Sequence, residues 1–107
     1  MATALTINHE QLDGVPQLIV SGELDIDTSE QLRIEVEHTL RSDVSALHLD
    51  LTRVTFVDSM GIKCLLHAAT IGQEREKPVT FKNSPQVQRI VDALGLHDRL
   101  PLRGQAG

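Results

Sequence analysis

The chain has 107 residues, and 10 Lys plus Arg against 15 Asp plus Glu give a net charge of −5 at pH 7. Apolar residues make up 40% and aromatic residues 2%, so the core of a single small domain must be aliphatic. The acidic balance argues against a nucleic-acid or anionic-membrane partner, one cysteine excludes an intrachain disulfide, and no stretch approaches a membrane span.

Leu5, Ile7 and His9 alternate with Thr6 and Asn8, which predicts a half-buried first strand. Asp13-Gly14 marks a turn, and Val15 to Ser21 reads as a more buried second strand, the two forming a hairpin. The period then changes. Asp27 with Glu30, or Thr28 with Gln31, offers two overlapping capping boxes, and Leu32, Val36 and Leu40 follow at fourfold spacing. That pattern predicts an amphipathic helix whose buried face widens if Ile34 joins it.

Leu47, Leu49 and Leu51 alternate with His48 and Asp50 as a third strand, and the β-prone run Val54 to Val57 leads into Asp58-Ser59-Met60-Gly61. Ile62, Leu65, Leu66 and Ala69 then sit at i, i+3, i+4 and i+7, a single-face helical stripe. A short strand is expected at Pro78 to Phe81. The last helix has Ser84 as N-cap, Pro85 at its first position, a Val87-Ile90-Val91-Leu94 stripe, and Gly95 closing it with Leu96 in apolar contact. Leu100 and Leu102 are expected to add a brief edge strand, and Arg103 to Gly107 to be loose. The order is ββαβαβα with a final β. Right-handed crossovers then make an α/β fold, a mixed and mostly parallel sheet of four or five strands covered by amphipathic helices. No repeat or linker divides residues 1–107, and no signal peptide is visible, so one cytoplasmic domain is expected.

Much chemistry is missing. Gly22, Gly61 and Gly72 stand alone, without the spacing of a phosphate cradle, and the five histidines form no metal-ligand motif. No cofactor is expected. Ser59 between a strand and a helix invites a nucleophile reading, but the hydrolase elbow needs glycine two residues before the serine, where Val57 stands. His67, eight residues on, lies about 12 Å away along a helix, against the roughly 3 Å a Ser–His pair requires.

Two readings of Asp58-Ser59-Met60-Gly61 remain. Asp58 or Ser59 simply caps a helix, as such residues commonly do. Alternatively, a hydroxyl in a first helical turn faces solvent, near free N–H groups and the positive dipole end, where a phosphoryl group is tolerated. Such a group adds about −1.5 to −2 charges, enough to repel a docked partner while leaving the fold intact.

The run Leu49-Asp50-Leu51-Thr52-Arg53-Val54-Thr55-Phe56-Val57-Asp58-Ser59-Met60-Gly61-Ile62 resembles the signature of STAS domains. More narrowly it is similar to bacterial anti-sigma factor antagonists. Gly22-Glu23-Leu24-Asp25 resembles the family's turn before the first helix, and Asn83-Ser84-Pro85 through Gly95-Leu96 resembles its closing helix. The resemblance implies a regulatory protein and not an enzyme. The unphosphorylated antagonist would bind an anti-sigma factor serine kinase of the GHKL type and free its sigma factor. Phosphorylation would block that binding, and a phosphatase would reverse it. ATP would belong to the kinase.

Carried onto this chain, the phosphoacceptor is Ser59, and Asp25, Asp58, Met60, Gly61, Asn83 and Ser84 join it at the partner-binding edge. Met60 stands where many members have Ser or Thr. Cys64 is expected to be packed and His67 to be wet. A monomer or weak dimer acting in stress response or sporulation is implied. The alternative is a STAS scaffold in another assembly, a stress-signalling complex or a lipid-transport ATPase, with Ser59 unmodified.

Overall fold

The computed structural model describes residues 5–96. Its elements are β1 (Thr6–Leu12), β2 (Val15–Leu24), α1 (Ser29–Arg41), β3 (Leu47–Val57), α2 (Ser59–Glu74), β4 (Val79–Asn83) and α3 (Pro85–Ala93). The four strands lie in sequence order across one sheet; β1 and β2 are antiparallel, and β2, β3 and β4 are parallel. Asp13 and Gly14 take φ of 54° and 79°, the positive values that a two-residue primed hairpin turn requires. The suggested edge strand at Leu100 and Leu102 and the loose end at Arg103 to Gly107 lie outside the described residues.

The crossovers β2–α1–β3 and β3–α2–β4 step the same way along the sheet. Right-handedness therefore puts α1 and α2 on one face, where they pack together. The third helix packs on β3 and β4. A single cluster of aliphatic side chains fills the interior, with Leu18, Leu24, Leu49, Leu51 and Leu65 sealed, and Phe81 is its buried aromatic residue. No described helix is long and apolar enough to cross a membrane.

The third strand is longer than its alternation suggests. Ile19 pairs with Asp50 and Ser21 with Arg53, then Gly22 with Val54 and Glu23 with Phe56, so β3 carries two extra residues as bulges. At the first, the Thr52 amide and hydroxyl both donate to Asp50 Oδ1, at 2.9 and 2.6 Å. Period-2 patterning is lost there, and Thr55 and Phe56 are successively exposed.

Three local expectations are corrected. Neither capping box forms at α1: Thr28 is the N-cap without a side-chain cap bond, because its hydroxyl donates to the Glu23 carbonyl (2.7 Å) and accepts from the Asp25 amide (3.0 Å). Glu30 instead pairs with Arg33. Ile34 is 52% exposed, so the buried face of α1 does not widen to include it. Leu94 leaves its stripe and is 56% exposed, since it is the C-cap of α3, where the helix ends. Beyond it the Leu96 amide donates to Val91 O and the Gly95 amide to Asp92 O, the paired bonds of a Schellman ending.

Candidate functional site

The parallel pair β2–β3 ends level, with Leu24 opposite Val57. The residues that follow, Asp25 and Asp58, therefore open adjacent loops at the C-terminal edge of the sheet, where open α/β sheets place their sites. The Asp58 amide donates to the Leu24 carbonyl at 3.2 Å and ties the two loops together.

Asp58 is the N-cap of α2, its carboxylate accepting from the Gly61 amide at 2.9 Å. Ser59 is the first helical residue and is exposed. With the Gly61 amide bound by the cap and the Ile62 amide donating to Asp58 O, the amides of Ser59 and Met60 are those an α-helix leaves without an internal acceptor. Gly61 is buried because the first turn presses onto the end of β2. A Cβ there would lie 2.7 Å from Val57 Cγ2 and closer still to the Leu24 carbonyl oxygen. Its part in the edge is thus to let α2 approach.

Asp25 organises its own loop. One carboxylate oxygen accepts from the amides of Asp27 (2.9 Å) and Thr28 (3.1 Å), which shapes the entry to α1. Asp25, Asp58, Ser59, Met60 and Gly61 are therefore brought to one edge. Asn83 and Ser84 are placed differently. Asn83 is level with Leu51, eight residues before Ser59 in the chain. Ser84 is 1% exposed and its hydroxyl accepts from the Val87 amide at 3.3 Å, so it caps α3 and presents no side chain to a partner. That corrects its assignment to the interface.

Two exposed apolar residues border this edge beyond those the motifs marked. Ile26, 65% exposed, stands between Asp25 and Asp27, and an apolar residue inside an acidic turn was the available signal. Phe56, 48% exposed, lines a hollow with Gln86, Arg89 and Ile90, and because a bulge turns it outward no periodicity marked it. Met60 is 37% exposed and opens onto a groove of about 270 Å³ between α1 and α2, which Ser29, Arg33, Lys63 and Cys64 also line.

The charges beside the groove are largely paired. The Arg33 guanidinium bonds to Glu30 and, at 2.6 Å, to Glu37; these bonds hold both carboxyls below their usual range and raise the guanidinium above its own. Burial pushes the Cys64 thiol up to about 11, and its Sγ lies 3.4 Å from the Ser29 carbonyl. His67 is half exposed and faces Glu37 Oε2 at 3.5 Å. Among the described residues no histidine hydrogen-bonds Ser59 and no His, Cys, Asp and Glu cluster could hold a metal ion.

Comparison with known proteins agrees with this architecture. Residues 7–104 match the family model described as "Mlab, STAS domain". The anti-sigma F factor antagonist of Paenibacillus polymyxa is 30% identical over 92% of this chain and 86% of its own. An anti-sigma factor antagonist from Mycobacterium paratuberculosis superposes with a TM-score of 0.79 at 30% identity, covering 95% of this chain and 87% of that one. The antagonist SpoIIAA in its unphosphorylated form shares the fold at 19% identity, with a TM-score of 0.71 over 94% of this chain and 90% of its own. Matched from its first strand through its last helix, the chain belongs to the STAS domain family.

Proposed function

We propose that this protein is an anti-sigma factor antagonist switched by phosphorylation of Ser59. In the unmodified state the edge formed by Asp25, Asp58, Ser59, Met60 and Gly61 docks on an anti-sigma factor that is itself a serine kinase, and the bound sigma factor is released. The observation that carries this reading is the exposed Ser59 hydroxyl at the first position of α2, with Asp58 already occupied as the cap. A phosphoryl group there meets open amides and the positive dipole end, so the fold accepts it. The same group beside Asp58 gives the edge a concentrated negative charge that an apolar or acidic docking surface cannot bury. Exposed Ile26 and Met60 supply the desolvated contacts of such a docking surface. Relatives named as anti-sigma factor antagonists support the role. ATP is bound by the kinase, and a separate phosphatase restores the hydroxyl.

The test is to incubate the purified chain with a serine-kinase anti-sigma factor from the same genome and ATP, then map the modified peptide. Phosphate on Ser59, and none on a Ser59→Ala variant, is the expected result. Binding to the kinase without modification, or no binding to any anti-sigma factor, would overturn the switch and favour a scaffold in another assembly.

A further inference from the structure

Lys63 is out of place electrostatically. It sits at the start of the second turn of α2, one turn beyond Ser59. On a helix, a lysine is stabilised by an acidic residue three or four positions away. Here those positions are Ser59, Met60, Leu66 and His67, and the first acidic residue of α2 is Glu74. Among the described residues Lys63 makes no ion pair. Across the groove Glu30 and Glu37 bind Arg33, and neither forms an ion pair with Lys63. A cation left without a counter-charge beside an acidic edge is a local inconsistency, and such inconsistencies tend to mark function.

The conflict disappears if a dianion occupies position 59. We propose that Lys63 is the intramolecular counter-charge of the phosphorylated state, pairing across one helical turn with a phosphoryl group on Ser59. The inference rests on the Ser59 reading above. Residues four apart on a helix have Cβ atoms about 5–6 Å apart, within reach of a lysine ammonium and a phosphate oxygen. Asp58 at the N-cap of α2 and Asp25 and Asp27 in the β2–α1 loop oppose a dianion at this edge, Glu30 on α1 adds to them, and Arg33 is neutralised by its own partners. Lys63 offsets that repulsion from the same helix. Two consequences follow: the phosphorylated form keeps its helix start, and the lysine becomes unavailable to a partner in that form alone.

The experiment uses the full chain with phosphoserine installed genetically at position 59, so it does not depend on any kinase. A phosphorus NMR titration reads the second ionisation of the phosphate, ordinarily near pH 6. With Lys63 present the midpoint is expected to lie lower than in Lys63→Gln by about half a pH unit. Lys63→Arg should titrate like the wild type, and molar salt should shrink the difference. Superimposable wild-type and Lys63→Gln curves would overturn the pairing, as would a difference that molar salt leaves unchanged. If kinases leave Ser59 untouched, the proposed switch fails while this titration still reports on Lys63.

Discussion

Replacing Gly61 by alanine tests the contact on which the site is built. The added Cβ would stand 2.7 Å from Val57 Cγ2 and nearer to the Leu24 carbonyl oxygen, a backbone atom that cannot rotate away. Overpacking of this kind costs about 1–3 kcal/mol. If α2 lifts to make room, the bond from the Asp58 amide to Leu24 O is stretched, a further loss of about 1 kcal/mol. Against this, alanine in place of glycine favours a helix by about 0.5–1 kcal/mol. The net expectation is destabilisation by roughly 1–3 kcal/mol, from the same overpacking and propensity terms. Each kcal/mol lowers the midpoint of a domain this size by about 4–8 °C in a thermal melt followed by circular dichroism. Adding Val57→Ala relieves only the side-chain clash, so it should not restore stability. A Gly61→Ala protein as stable as the wild type, or more stable, would refute the close approach of α2 to β2.

Other substitutions separate capping from recognition. Asp58→Ala removes the cap from Gly61 and should cost about 1 kcal/mol in urea unfolding, whereas Asp58→Asn keeps an accepting oxygen and should cost far less. Ser84→Ala should lower stability by about 1–2 kcal/mol, since it leaves a buried Val87 amide unpaired, while leaving anti-sigma factor affinity unchanged in a titration of the folded protein. The carboxyls of Glu30 and Glu37 are held low in the folded state by Arg33. Their contribution to stability is therefore present above the ordinary carboxylate range and lost as pH falls below it. Arg33→Gln should flatten that acid limb of the stability curve, and because Glu30 is exposed and Glu37 and Arg33 are only partly buried the effect should be small and salt-sensitive.

The order of elements was legible because the apolar spacing switches cleanly between two and 3.6, as in Leu47-Leu49-Leu51 and Val87-Ile90-Val91. The Ser84 cap and the Gly95 ending were legible because capping needs only local residue types. Bulges were not. They depend on pairing with β2, so β3 read as a strand with a β-prone tail, and the outward turn of Phe56 went unmarked. At α1 the capping boxes failed because the Asp25 carboxylate takes the Asp27 amide, while the Glu23 carbonyl and the Asp25 amide hold the Thr28 hydroxyl. In the site, the position of Ser59 beyond a strand and at a helix start followed from the motif. The burial of Ser84 did not, because a good N-cap and a surface serine look alike until packing is known.

The most direct measurement compares the affinity of one anti-sigma factor kinase for the unmodified chain and for the chain carrying phosphoserine at position 59, with a thermal melt of each. Tight binding by the unmodified form, loss of at least tenfold in affinity on phosphorylation, equivalent to about 1.4 kcal/mol, and melts that differ little are expected. Equal affinities with both forms folded would contradict a switch at this edge, and collapse of the phosphorylated fold would contradict the exposed position of the Ser59 hydroxyl.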